Sequence, residues 1–301
     1  MISQSIDKPR KTFRRHLFEK RTPLQRAVFI FVSVIFILYA VTLIYPFLIT
    51  FLNTMKTSAE YWEDPVGMPA RLTLKNFALA FSEFNVGEYS YLEMLGNSLV
   101  LSVLSSFLAV ASSCMSAYIF SKYKFRSSET LYGVAIILMM LPSIGTLPAL
   151  YKLMIDLHLK NSVIGVSLTA AGGFGSYFLF MYATFATISW SYAEAAFVDG
   201  AGNFYTFFRI MLPQARGTLL SLLLLSFIAT WNDYMTPYLY LDRNPTIALG
   251  LHQFEISIRQ GSANYPLFFS GVLISMLPVV VLFLIFQDTL MNNVSVGGLK
   301  G

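Results

Sequence analysis

Cysteine is nearly absent from this chain. Cys114 stands alone, so no intrachain disulfide can form and a disulfide-stapled scaffold is excluded. It lies in an apolar run and reads as a buried small hydrophobe. Charge is scarce as well: 12% of the 301 residues are charged, while 55% are hydrophobic and 27 are Phe. Soluble domains carry about a quarter charged residues, so an ordinary globule and a disordered chain are both excluded. What remains is an all-α, polytopic membrane protein. Its net charge of +5 must be divided between the two sides of a bilayer, and so gives no argument for nucleic acid. Histidine is equally thin. His16, His158 and His252 fall in separate loops and share no ligand spacing with each other or with Cys114, so no metal site is expected. There is no Gly-Lys dipeptide, hence no phosphate-binding Walker loop, and no Gly-x-Ser-x-Gly nucleophile turn. Nothing here is catalytic, and the chain reads as a non-enzyme.

What is present is a series of long uncharged stretches. Six of them, at about 27–51, 95–120, 131–153, 162–187, 217–241 and 267–290, reach the roughly 20 residues that a helix needs to cross the hydrocarbon. Helices are expected because a lone strand leaves its backbone groups unsatisfied in lipid. The first run is about twice the length of a signal peptide's apolar region and has no small-residue cleavage site, so it is expected to be retained. Of the 21 Lys and Arg residues, 14 fall in segment 1–26, loops 121–130 and 188–216 and the C-terminal tail. This bias predicts a multi-pass protein of the cell membrane with both termini cytoplasmic. Segment 1–26 also suits contact with lipid headgroups. Residues 27–301 then form one transmembrane domain. The acidic, aromatic loop 53–94, broken by Pro65, Gly67 and Pro69, is expected outside as a cap of short helices.

Within the spans, Ser105, Ala109, Ser113 and Ala117, with Ser102 and Ser106 beside them, form a stripe that lets helices approach closely. Ala170, Ala171, Gly172, Gly173 and Gly175 read the same way. Pro46, Pro142, Pro148 and Pro278 lie inside spans, where each is either a kink or simply tolerated. Asp233, in Trp231-Asn232-Asp233-Tyr234, is the carboxylate set well inside a span. Burying it costs roughly 2.5–3.5 kcal/mol, so such residues face a cavity or a partner. Carboxylate, amide and aromatic faces together suit a hydroxyl-rich solute. The alternative is that the span ends near residue 230 and Asp233 sits at an interfacial helix end.

The loop between spans four and five is the informative one. It reads Trp190-Ser-Tyr-Ala-Glu194-Ala195-Ala196-Phe-Val-Asp199-Gly200-Ala201, and then Phe207-Phe208-Arg209-Ile210-Met-Leu212-Pro213. Ser191 three residues before Glu194 predicts a capping box, opening a short helix that Gly200 can end. A second amphipathic turn, Phe204 to Ile210, is expected to stop at Pro213. Ala195 and Ala196 would make one shallow surface, and Glu194 a charge that a partner arginine can grip.

The order Glu-Ala-Ala-x-x-Asp-Gly-Ala followed by Ile-x-Leu-Pro resembles the EAA loop of binding-protein-dependent ABC permeases. The tail Gly297-Gly298-Leu299-Lys300-Gly301 is similar to the Gly-x-x-Lys-Gly ending of sugar permeases, specifically the smaller partner in maltose- and glycerol-phosphate-type importers. Trp231-Asn232-Asp233-Tyr234 is similar to a tetrapeptide of that carbohydrate branch. One departure is Gly217, where the family often carries a second proline. The resemblance implies a type I ABC importer permease. Glu194, Ala195, Ala196, Asp199, Gly200, Ala201, Ile210, Leu212 and Pro213 would then couple to an ATPase, and Gly297, Gly298 and Lys300 would touch it. Trp231 to Tyr234 would lie near the solute path. It further implies a second permease, two ATPase subunits, an external solute-binding protein and a sugar substrate. ATP and magnesium would belong to the ATPase, leaving no cofactor here. The rivals are a proton-coupled carrier using Asp233, a permease for a non-sugar solute such as a glycerol phosphate, and a scaffold that transports nothing.

Overall fold

The computed structural model describes residues 22–140, 145–260 and 264–294. The basic segment 1–21, Pro142 and the tail residues Gly297, Gly298 and Lys300 lie outside the described residues. Helix α1 (Pro23–Asn53) is followed by α2 (Ser58–Glu63), α3 (Lys75–Ser82) and a two-stranded hairpin, β1 (Asn85–Val86) against β2 (Tyr89–Ser90). Helix α4 (Tyr91–Lys122) comes next, then α5 (Ser128–Met140), α6 (Thr146–Asp156), α7 (Val163–Leu168) and α8 (Ser176–Thr187). The chain continues through α9 (Ser191–Val198), α10 (Asn203–Thr206), a π-helical segment (Phe207–Met211) and α11 (Leu212–Gln214). It ends with α12 (Arg216–Trp231), α13 (Met235–Tyr240), α14 (Ile247–Arg259) and α15 (Tyr265–Val294).

Helix α4 is the axis. Its first turn is closed by a reciprocal cap between Ser90 and Glu93, with the Ser90 N–H donating to the Glu93 carboxylate at 2.8 Å. The predicted stripe Ser102, Ser105, Ser106, Ala109, Ser113 and Ala117 is buried, and α8 and α12 pack along it. Small side chains bring the backbones close where lipid supplies no hydrophobic force. Cys114 is buried as expected, beside Phe178, Met181 and Phe185 of α8. At the other end of α4, Tyr91 and Met94 pack with Phe84, Trp231 and Ile274, and the Tyr91 hydroxyl donates to the Gly271 carbonyl at 2.6 Å.

Helix α1 behaves oppositely. Almost all of it is exposed, and it touches the bundle chiefly through α15. Its stability comes from backbone bonds within the helix and from the Thr22–Gln25 capping box with Pro23 in the first turn. A lipid setting demands that self-sufficiency.

Among the described residues, three helices, α1, α4 and α15, are unbroken and long and apolar enough to cross a membrane. Within the predicted stretches 131–153, 162–187 and 217–241 the described residues do not form one continuous helix. In the first, α5 is described to Met140, and Gly145, at φ 83°, caps α6 in the left-handed region. The second splits at residues 169–175, so its glycines break the helix and do not serve as packing notches. Gly173 takes φ 69°, and its freed N–H donates to the Ser112 hydroxyl at 3.3 Å. The third stops at Trp231 and restarts at Met235.

The predicted cap over 53–94 is a knot of short helices held by buried polar groups. Lys56, 1% exposed, donates to the Asp64 carbonyl at 2.7 Å. The Asn76 amide donates to the carbonyls of Thr54 and Lys56, and Asn53 donates to that of Pro65. The Asp64 carboxylate accepts the backbone N–H groups of Gly67 and Val66, which hold its pKa below the usual carboxylate range.

Candidate functional site

The loop around Glu194 lies at the end of the bundle where α4 and α8 terminate. Lys122, the last residue of α4, donates to the Ile188 carbonyl just ahead of α9. Trp190 packs edge-on against Tyr123 at 5.5 Å, and Phe197 against Trp190 at 5.9 Å. These contacts seat α9 under the bundle.

The predicted capping box is corrected. Trp190 is the cap residue of α9, in helical conformation and with no side-chain cap, while the Ser191 hydroxyl pairs with that of Ser189 at 2.8 Å. Helical geometry at Trp190 moves the start of the helix one residue back, so Ser191 is already inside it. The far end follows expectation. Gly200 takes φ 85°, with its N–H on the Phe197 carbonyl and the Ala201 N–H on the Ala196 carbonyl. That pair of bonds is the Schellman closure, and it needs a left-handed residue after the last turn.

The expectation that Ala195 and Ala196 share a surface is also corrected. Adjacent helical residues point about 100° apart, and here Ala193 and Ala196 face the core while Glu194 and Ala195 face outward. The outward face therefore consists of Tyr192, Glu194, Ala195, Val198 and Asp199, with Val198 87% exposed. The Glu194 carboxylate makes no hydrogen bond or ion pair with any described residue. Ala201 and Ile210 are half-buried. An exposed apolar and acidic surface on a short, doubly anchored helix is suited to a protein partner.

Pro213 does not stop the second turn. The chain runs helically from Asn203 to Gln214, through the π segment, and only then bends by 81° into α12. The bend falls at Ala215, whose backbone leaves the helical region. Pro213 has no N–H for the Arg209 carbonyl, and the wider turn before it absorbs the misfit. Leu212 is half-buried and Pro213 exposed. A valine at position 200 has room, since nothing lies within 4 Å of an added Cβ, so backbone conformation alone penalises it. Gly200→Val is expected to lose most transport, at a strain of roughly 1–2 kcal/mol, and Gly200→Asn to keep most of it. Uptake at matched membrane abundance checks the order.

The tetrapeptide at the end of α12 is separate, near the opposite end of the bundle. Trp231 is buried, stacked on Phe227 at 5.6 Å, with its indole N–H on the Ser275 carbonyl at 3.1 Å. The exposed Asn232 side chain donates to the Ile228 carbonyl. One Asp233 oxygen accepts the N–H groups of Met235 (2.8 Å) and Thr236 (3.1 Å), so it caps the start of α13. Tyr234 lies over His252 at 4.3 Å. That pairing was invisible in the sequence, where 18 positions separate the two rings. Asn203, which accepts from the Tyr123 hydroxyl at 3.1 Å, was equally silent. Among the described residues no group of three His, Cys, Asp or Glu could hold a metal.

A helical bundle with unbroken membrane-length helices, broken companions and a surface helix docked under one end defines a polytopic membrane permease. The chain belongs to the family of binding-protein-dependent transport system inner membrane components, whose model matches residues 109–296. Members of that family are non-catalytic permease subunits of ABC transporters, with ATP hydrolysis in separate subunits. Among its relatives, the maltodextrin transport permease of Bacillus subtilis is 30% identical, with 88% of this chain and 93% of the relative covered. The diacetylchitobiose uptake permease of Streptomyces coelicolor is 26% identical over 87% and 85% of the two chains. In fold, the chain is similar to a protein in the crystal structure of a bacterial ABC transporter that imports the acidic polysaccharide alginate. The TM-score is 0.74 at 20% identity, covering 90% of this chain and 99% of that one.

Proposed function

We propose that this chain is a translocating subunit of an ATP-driven importer of oligosaccharides. It pairs with a second permease, two ATPase subunits and an external solute-binding protein, crosses the membrane six times and keeps both termini in the cytoplasm. The observation that carries the coupling role is the outward face of α9, where Glu194, Ala195, Val198 and Asp199 are exposed on a helix anchored to the bundle. ATP-driven closure of the ATPase pair pulls α9, and the motion passes through Gly200, Ile210, Leu212 and Pro213 into the bend before α12. Gly297, Gly298 and Lys300 add a tail contact with the ATPase. No cofactor is held by this chain. The sugar reading is supported by relatives for maltodextrin, diacetylchitobiose and arabinooligosaccharides.

A proton-coupled carrier is not favoured. The family works with a binding protein, and the Asp233 carboxylate is already engaged by two backbone N–H groups. Trp231, Asn232, Asp233 and Tyr234 remain candidates for the solute path. Asp233→Asn keeps a capping oxygen and removes the charge. A changed sugar preference would assign the carboxylate to the path, and unchanged uptake would leave it as a cap alone.

The test is ATP hydrolysis by the complex pulled down from native membranes on this chain and reconstituted with its binding protein. A panel of mono- and oligosaccharides and glycerol phosphates is screened. Stimulation by one oligosaccharide class is the expected result. Absence of ATPase subunits from the pull-down would overturn the importer, and stimulation by a glycerol phosphate alone would overturn the sugar.

A further inference from the structure

Two arms of the chain lead away from the coupling segment α9–α11. One runs back through α8 and α7 to residue 161, and the other runs on through α12 and α13 to residue 241. Their far ends meet. The Asn161 N–H donates to the Tyr240 carbonyl at 2.7 Å, and the Asn161 carbonyl accepts the Asn244 side-chain amide at 3.0 Å. The Asn161 Oδ1 accepts the Arg243 N–H at 3.3 Å. Beside it, Lys160 Nζ pairs with Asp242 at 2.9 Å and donates to the Tyr151 hydroxyl at 2.8 Å. Asn97 and Ser98 of α4 hold the residues that follow, through the Pro245 carbonyl (3.0 Å) and the Ile247 N–H (2.7 Å). Both lie near the start of α4, so this clasp sits at the end of the bundle opposite α9.

The ion pair alone would hold the arms weakly, because the Asp242 side chain is 53% exposed and such pairs contribute little in water. The firmness comes from beneath. Leu101, Met154, Val166, Tyr240 and Leu241 form a buried cluster that joins α4, α6, α7 and α13 under the clasp. At Gly165 of α7 an added Cβ would lie 2.6 Å from the Leu159 carbonyl, so α7 packs directly on the turn that carries Lys160 and Asn161. Asn161 itself is held at φ 63°, a left-handed conformation that strains most residues and that asparagine tolerates. Both of its backbone groups are engaged by the other arm.

We propose that this clasp stays closed throughout transport and is the pivot of the two arms, with Asn161 as its positioning residue. The proposal rests on the coupling role of α9. A pull on α9 displaces the near ends of both arms, and a joint at their far ends makes α7–α8 and α12–α13 move as one body. With the joint open, each arm would give way separately, and ATP would be hydrolysed without moving solute.

The test joins Lys160→Cys to Asp242→Cys with a short bifunctional thiosulfonate in the assembled, reconstituted importer. Cys114 is 2% exposed, and the parent complex treated alike is the control. The cross-linked importer is expected to carry sugar as fast as its untreated form. Transport lost on cross-linking and regained on reduction would mean that the joint must open, and would overturn the pivot. A merely structural joint is separated by the coupling ratio. Asn161→Val, strained in the left-handed turn, should shift the clasp about tenfold toward its open form and raise the ATP hydrolysed per sugar carried. Asn161→Gly adopts the turn freely and should match the parent. An unchanged ratio in Asn161→Val would also overturn the pivot. Should that chain not assemble, Asn244→Ala, which removes one bond and leaves the turn, gives the same reading. Sugar-stimulated hydrolysis by the parent is unaffected by either failure, so the importer stands or falls by its own assay.

Discussion

Glu194→Arg is expected to abolish transport while the protein still reaches the membrane at its normal level. Glu194 is exposed and forms no bond with any described residue, so nothing inside the fold depends on its carboxylate. Helix α9 stays seated through Trp190, Ala193 and Phe197 and closed by its Schellman turn. Any loss therefore reports on a partner. Disrupting a charged pair in a protein interface costs about 2–5 kcal/mol, and reversal adds repulsion to the lost attraction. Recovery of the ATPase subunits on the purified permease should fall by roughly 30-fold or more. Glu194→Gln, which keeps the shape and drops the charge, should fall in between. Quantitative pull-down beside uptake makes the measurement. Normal recovery with normal uptake would remove Glu194 from the coupling surface.

The second large effect is expected from Trp231→Ala. Trp231 fastens α12 to α15: its ring is buried against Phe227, and its N–H satisfies the Ser275 carbonyl. Truncating a buried tryptophan costs about 3–5 kcal/mol, and the indole N–H bond to α15 is lost with the ring. A thermal melt of the detergent-solubilised complex should shift markedly downward, with Trp231→Phe intermediate because it restores ring packing without the bond. A solute-path role for this ring predicts something else, namely an altered KM with the melt unchanged. The two measurements together distinguish a structural weld from a binding surface.

Much of this molecule was legible in its sequence, and the failures have physical causes. The stripe through Ser105, Ala109 and Ser113 marked the buried face of α4, because lipid-embedded packing selects small residues wherever backbones approach. Gly200 was readable as a terminator because few other residues adopt the left-handed turn it makes. The same logic misfired at Gly172, Gly173 and Gly175. Glycine serves close packing and helix breaking alike, and only the Ser112 hydroxyl waiting for the Gly173 N–H shows which applies. Ser191 and Glu194 have the spacing of a capping box, yet the preceding Trp190 is helical and the box is not made. Asp233 could be read as a charge inside a span or as an interfacial helix end, and only the folded chain brings the two N–H groups at the start of α13 to its carboxylate.

Composition, charge bias and apolar run length by themselves determined a multi-pass helical protein, its surface loop at 188–216 and the motif that resembles a family. These are one-dimensional quantities: hydrophobic length and charge distribution act on the chain before any two helices meet. Only the tertiary structure decided which face of α9 looks outward and where the spans break. It also decided that Tyr234 meets His252 and that Asn161 meets Tyr240. Each of these depends on how helices rotate against one another, a degree of freedom set by packing between residues far apart in the chain.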